Sequence, residues 1–315
     1  MTFTLGVHLG QQNATMDELR SLWRRVDDSD LDWLSAWDHL YEAPPQGGTD
    51  PHFEAVATLA AMAAETQRVR LGVLMFCVPY RNPALLAKAA VAIDHISHGR
   101  FEIGVGAGWH EPEFVAHGYE FGTWGDRFDM LTEGLEILTG MFTQERTSFT
   151  GTHYRVDDVT CVPGPVRGRI PIWIGGRGPK RTPALAAEYA DGYNTPYVSP
   201  EQFRKLSDGI DRACEKVDRD PATIERTVNL SFNLSTNAEA AAAEQARFDA
   251  MPEPNRSALL DGSLQGTPDR APERILEYAE AGATGVNIAL RLPVDTEAFD
   301  AYLESVVPQV RAALA

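Results

Sequence analysis

The sequence predicts an α/β protein built on a parallel sheet whose strands are buried on both faces. Three observations carry this. Short apolar runs alternate with stretches whose apolar residues recur at helical spacing, from Phe3 to about Val307, and such alternation builds βα units. The count comes to eight strands with about eight helices. The length of 315 residues accommodates a (β/α)8 barrel, which takes roughly 250. An open doubly wound sheet would show the same alternation, so pattern alone leaves both arrangements open. No composition shift marks a linker and no internal repeat appears, so residues 1–315 read as one domain.

Strand one spans Phe3 to Leu9. A helix follows from about Thr15 to Val26, where Thr15 and Glu18 form a capping-box pattern. Strand two is Trp33 to Trp37, and helix two runs from His52 to Thr66. Val69 to Phe76 is a continuous apolar run, as a doubly buried strand requires. Pro79, Asn82 and Pro83 break it. Pro83 suits a first helical position, having no N–H to lose and a φ that is already helical. Leu85, Leu86, Ala89, Ile93 and Ile96 give the helix its apolar stripe, Gly99 stops it, and Phe101 to Val105 is strand four. Helix four is Arg127 to Met141. Thr147 to Val162 is β-prone and Gly-turned and reads as a hairpin outside the alternation. Strand five (Ile172 to Ile174), a helix (Arg181 to Ala190), strand six (Gly192 to Asn194), a helix (Pro200 to Val217), strand seven (Thr227 to Leu234) and an Ala-rich helix (Ala238 to Phe248) follow. Met251 to Gln265 reads as loop. Pro272 to Ala281 is helical, Gly285 to Leu290 is strand eight, and Thr296 to Val307 closes the chain.

In such sheets the chemistry lies beyond the C-terminal ends of the strands. Strand two runs into Asp38 and His39. A histidine exchanges a proton near neutral pH and an adjacent carboxylate can orient it; the same pair would also serve as a hydrogen-bonded strand cap. Strand four runs into Gly104, Gly106 and Gly108, with Ala107 between the last two. These glycines would let a ring or a phosphate approach the backbone. Trp109 stands where a dinucleotide fingerprint needs its last glycine, so that reading fails. Strand five runs into Gly175, Gly176, Arg177 and Gly178 ahead of a helix. Successive N–H groups and a helix N-terminus make an anion site. Lys180 replaces the second glycine of a Walker loop. Arg167, Arg169, Arg177, Lys180 and Arg181 cluster here, either as partners for an anionic cofactor or as solvated surface. His8, Gln11, Gln12, Asn194, Thr195 and Arg291 lie at or beyond other strand ends and Asn287 lies within strand eight, each as a pocket residue or as a partner of backbone groups.

The segments VPYRNPALLAK, GRFEIGVGAGWHEPEF and PIWIGGRGPKRTPALAAEYADGYN resemble, in order and spacing, signatures of the luciferase-like superfamily. The likeness is greatest to its flavin- and deazaflavin-dependent oxidoreductases and covers Phe3 to roughly Pro308. Together with the count of eight, it selects the closed TIM barrel. It implies coenzyme F420 as cofactor, with FMN and oxygen, hence monooxygenation, as the alternative and a catalytically silent cofactor-binding barrel as a third reading. It further implies that Asp38 and His39 contact the cofactor and handle a proton. A non-prolyl cis peptide is expected at Val73-Leu74, in a bulge with Met75 that backs the ring. The loops Gly106–Ala107–Gly108 and Gly175–Gly176–Arg177–Gly178, with Arg181, would hold the cofactor and its phosphate. Sugar-phosphate dehydrogenases of the superfamily carry an acid where Trp109 stands. Trp109 therefore implies a neutral, largely apolar organic substrate. A homodimer is the usual assembly of such proteins.

The composition, 43% hydrophobic and 23% charged, is that of a soluble globular protein. A net charge of −17 disfavours nucleic acid and anionic membrane as partners. No apolar run approaches a bilayer span, and the N-terminus lacks the pattern of a signal peptide. Cys77, Cys161 and Cys214 are widely spaced and leave one unpaired, which fits a cytoplasmic setting and gives no metal-ligand spacing.

Overall fold

The structure, a computed structural model, describes residues 2–42, 48–250 and 260–315. In chain order it begins β1 (Thr4–Gly10), α1 (Met16–Asp27), β2 (Trp33–Ala36), α2 (Ala55–Glu65), β3 (Arg70–Val73), β4 (Phe76–Cys77), α3 (Pro83–Ile96) and β5 (Phe101–Gly106). There follow α4 (Glu111–Ala116), α5 (Trp124–Thr143), the hairpin β6 (Thr147–Thr150) and β7 (Arg155–Val159), β8 (Ile172–Gly175), α6 (Arg181–Tyr189), β9 (Gly192–Pro196) and α7 (Pro200–Lys216). The chain closes with β10 (Glu225–Leu234), α8 (Ala238–Asp249), β11 (Ser263–Gly266), α9 (Ala271–Glu280), β12 (Gly285–Arg291), α10 (Thr296–Ala301) and α11 (Val307–Ala313).

The strands run β12-β1-β2-β3-β5-β8-β9-β10 in parallel, and β10 returns to β12 through Thr227↔Gly285 to Ser231↔Ala289. The sheet is therefore a closed eight-stranded TIM barrel, and the open doubly wound alternative falls away. Local signals work as expected. Thr15 and Glu18 form the capping box of α1, Asn82 caps α3 with Pro83 in its first turn, and Gly99 leaves α3 at φ +82°, a conformation glycine adopts without penalty.

Strand three is interrupted. β3 keeps register with β2 as far as Ala36↔Val73, and the chain leaves that register only afterwards, resuming beside Val105 and Gly106 as β4. The non-prolyl cis bond accordingly joins Leu74 to Met75, one residue later than the expected Val73-Leu74. Val73 itself is fully buried core.

Inside the barrel the indoles of Trp33 and Trp173 meet at 5.2 Å. Gly72 and Gly192 make this packing fit, since a Cβ at either would stand 2.2 Å from an indole carbon. Beside this pair Glu102 accepts from the Trp173 Nε1–H at 2.6 Å and pairs with Arg70, which also forks onto Glu225. Three elements were not evident in the sequence: the short helix α4, the closing helix α11 beyond Val307, and β11, which overlaps the end of the stretch Met251 to Gln265 read as loop. Of that stretch, residues 251–259 lie outside the described residues.

Candidate functional site

β2 ends at Ala36 and delivers Trp37, Asp38 and His39 to the C-terminal mouth of the barrel. The next two side chains diverge in environment. Asp38 is buried and accepts from both Nη atoms of Arg81, at 2.5 and 2.7 Å, and from the Cys77 N–H at 2.8 Å. Burial raises its carboxyl above the ordinary value, while Arg81 and the Cys77 N–H pull it back. Arg81 also holds Glu54, the N-cap of α2. Asp38 thus ties the end of β2 to β4 and to the turn before α3.

His39 stays partly exposed, and its Nδ1 meets Glu113 Oε2 at 3.0 Å. Glu113 is buried on α4 and accepts further bonds from the Tyr80 hydroxyl (2.8 Å), the Tyr41 N–H (2.9 Å) and the Leu40 N–H. Burial alone would raise its carboxyl, but these donors, His39 foremost, outweigh it and bring it down to about 2. Glu113 is therefore a carboxylate across the working range and can only accept. His39 must then carry its hydrogen on Nδ1, which leaves Nε2 as the atom that exchanges a proton. The sequence reading paired His39 with Asp38; the structure gives that place to Glu113. A glutamate in a short helix that follows a strand end was the only available signal.

Aromatic rings surround His39. Trp37 and Trp109 each present an edge at 5.7 Å, and His110 lies at 6.4 Å. Trp109 is 56% exposed, so it stands over the mouth beside His39 and does not fill the barrel wall. Below, His8 shares a hydrogen bond of 3.0 Å with Ser35 and is buried; burial first, then Arg291, push its pKa down to about 3. Gln11 clamps the backbone of Trp37. Asn194, Thr227, Asn229 and Asn287 bond one another inside the barrel, which accounts for the sequence candidates Asn194 and Asn287.

The two glycine loops differ from each other. A Cβ at Gly104 would meet the Val73 carbonyl oxygen at 2.1 Å, at Gly106 it would touch Met75, and at Gly108 it would strike Cys77 and Phe114. These glycines, and Gly175 against Met75, accommodate the Leu74–Met75 bulge and the residues behind it. Ala107 is buried with them. The loop after β8 is open. Gly176 adopts φ +142°, and Cβ atoms at Gly176 and Gly178 would meet only the side chains of Thr182 and, for Gly178, Phe128. Thr182 Oγ1, in the first turn of α6, is buried without a hydrogen-bond partner among the described residues. A hydroxyl and glycine N–H groups beside a helix N-terminus suit a phosphate. Of the neighbouring cations, Arg181 pairs with Asp129 and Arg169 with Asp191, while Arg177 and Lys180 are in no ion pair among the described residues. Arg181, expected beside the cofactor, braces α6 against α5 in this structure through Asp129 and the Gly125 carbonyl.

A family model described as luciferase-like monooxygenase matches residues 1–263. The chain belongs to the luciferase-like monooxygenase family. Within that family it is 29% identical to an F420-dependent glucose-6-phosphate dehydrogenase of Nocardia farcinica over 254 residues, 78% of this chain and 72% of that protein. A protein of the same description from Nakamurella multipartita is 27% identical over 325 residues, covering 94% and 93%. The chain spans about half the length (48%) of an uncharacterised Mycobacterium tuberculosis protein that it matches at 36% identity over 138 residues, 44% of this chain. Among solved structures, an F420-dependent secondary alcohol dehydrogenase in complex with an F420-acetone adduct superposes with a TM-score of 0.86 at 18% identity, covering 98% and 99%. The luciferase-like fold is shared throughout.

Proposed function

We propose that the protein is an oxidoreductase that moves a hydride between coenzyme F420 and a small, largely apolar organic substrate such as an alcohol, a carbonyl or an activated alkene. The observation that carries this is His39 fixed through Nδ1 by the Glu113 carboxylate at 3.0 Å, with Nε2 left for proton exchange beside Trp109. Two of the similar proteins, from Nocardia farcinica and Nakamurella multipartita, bear F420-dependent names, which supports the cofactor. So does the loop after β8, whose glycines and Thr182 hydroxyl, without a hydrogen-bond partner among the described residues, suit a phosphate.

When bound, a deazaflavin supplies a hydride-accepting or hydride-donating carbon and reacts poorly with oxygen. The protein does the rest. The bulge at Leu74 and Met75 forms the surface on which a flat ring would rest. Gly176, Gly178, Thr182, Arg177 and Lys180 would hold the charged end. Trp37 and Trp109 exclude water and present apolar surface to the substrate. His39 Nε2 takes the hydroxyl proton as an alcohol is oxidised and returns it in the reverse direction.

Replacing His39 by Ala tests this. Turnover of whichever alcohol or carbonyl the unmodified protein converts should fall by roughly 10²–10⁴-fold, with the cofactor dissociation constant changed by less than about threefold, well under the tenfold that 1.4 kcal/mol would bring. Normal turnover in a folded His39→Ala protein would remove His39 from the reaction.

A further inference from the structure

Arg291, the last residue of β12, is exposed at the barrel mouth. Its guanidinium carbon lies 5.5 Å from the Trp37 ring centroid and 5.8 Å from that of Tyr197, and Nη2 donates to the Tyr197 hydroxyl at 3.4 Å. Among the described residues it is in no ion pair, whereas Arg70, Arg81, Arg226 and Arg311 at other strand ends and helices all pair with carboxylates. Aromatic rings attract a cation but leave its charge uncompensated.

Both flanks of Arg291 are held in place. Trp37 is 5% exposed. Gln11 bonds its N–H and its carbonyl, at 3.2 and 2.6 Å, and its indole N–H donates to His52 Nε2 at 3.1 Å. Gly10 leaves room for the ring, since a Cβ there would stand 2.7 Å from it. Tyr197 sits at φ +52°, a conformation that costs a non-glycine residue energy. It is kept there by its N–H bond to Asn229 at 2.9 Å and by Gly262, where a Cβ would fall 2.1 Å from the Tyr197 Cα.

Trp37 also meets His39, at 5.7 Å between ring centroids. The two steps through Trp37 bound the distance from the Arg291 guanidinium carbon to the centre of the His39 ring at 11.2 Å. A rigid, unpaired cation thus stands within the reach of a small molecule from the proton-handling residue. The glycine loop of β8 lies three strands round the barrel from β12, and β2, which delivers His39, lies two strands away in the other direction.

We propose that Arg291 is an anion subsite for the substrate, taking the carboxylate of a small, otherwise apolar acid whose reacting carbon lies beside His39. This rests on the function proposed above for the same mouth and replaces the neutral substrate that Trp109 implied in the sequence; the apolar part remains, carried by Trp37 and Trp109. A bidentate carboxylate matches the guanidinium fork. The same chemistry is available on the anionic tail of the cofactor, so the test separates the two sources.

The test is calorimetric titration of hexanoate and of its neutral isostere hexanamide into cofactor-free and F420-loaded protein. In either form hexanoate should bind at least about tenfold more tightly, as charge-assisted hydrogen bonds allow, and the advantage should shrink with added salt. In Arg291→Gln the preference should fall below about threefold while hexanamide binding is unchanged, and Arg291→Lys should retain part of it. F420 affinity should be the same in Arg291→Gln as in the unmodified protein. Equal binding of acid and amide by the unmodified protein in both forms, or a preference that survives in Arg291→Gln, overturns the proposal. So does a tenfold loss of F420 affinity in Arg291→Gln without an acid preference, which assigns the residue to the cofactor tail. Failure of F420 to bind the unmodified protein counts against the proposed function alone, because the acid preference is still read in the cofactor-free protein.

Discussion

At the residue scale the site depends on which carboxylate serves His39. Glu113 gathers four donors from Leu40, Tyr41, Tyr80 and His39, so it both fixes the imidazole and pins the chain just after β2. Glu113→Gln keeps the shape but turns an acceptor-only group into one that also donates, which sets its N–H groups against some of those donors. Turnover should fall at least about tenfold, in kcat more than in KM, with cofactor affinity retained; this pattern marks a positioning residue. An unchanged kcat would mean that His39 needs no such partner. Trp109→Glu should weaken substrate binding by placing a carboxylate on apolar surface, measured as a rise in KM; the carboxylate caught by Arg291 would make this penalty larger. Asp38 and His39 were legible in the sequence because they follow a short apolar strand. The partnership with Glu113 was not, since it spans 74 positions and depends on α4, a helix of six residues too short to show periodicity. Arg81, which claims Asp38, was hidden for the same reason of distance.

At the scale of elements, alternating strands and helices, the capping box of α1, the proline start of α3 and the β6–β7 hairpin could all be read from local chemistry. The displaced cis bond could not, because its position follows from where β3 leaves β2. The glycines in and just after β5 looked like a ligand cradle, and in the fold Gly104 makes room for Met75 and Gly108 for Cys77 and Phe114; glycine spacing alone does not say which neighbour needs the space. The indole packing within the barrel gives a sharp test. Gly72→Ala would put a methyl 2.2 Å from the Trp33 ring and should cost about 1–3 kcal/mol or more, read as a lower urea midpoint at unchanged slope. Unchanged stability would show that the two indoles are not tightly packed.

At the scale of the whole molecule, stability should fall in acid. His8 is buried with its pKa depressed to about 3, whereas in the unfolded chain a histidine titrates near 6.5. The unfolded chain therefore takes up a proton that the folded chain refuses. The contribution of His8 is complete above about pH 6.5 and declines as pH falls toward 3, by up to about 2 kcal/mol between pH 6.5 and 5.0. Urea titrations at pH 7 and pH 5 should show this, and His8→Gln should flatten the difference; an equal difference in the variant would assign it to other groups. Eight strands closing a barrel, with three of them ending in Asp38-His39, in Trp109 and in the Gly175–Gly178 loop, put separate stretches of sequence into one mouth.

The central claim is that this mouth serves a deazaflavin. Optical titration of the cofactor-free protein with coenzyme F420 and with FMN, at low and at high salt, tests it most directly. F420 should bind more tightly than FMN, and its affinity should drop several-fold as salt screens Arg177 and Lys180 from the charged end. FMN binding as tightly or more tightly, or FMN copurifying with the protein, would contradict the account and move the function to monooxygenation.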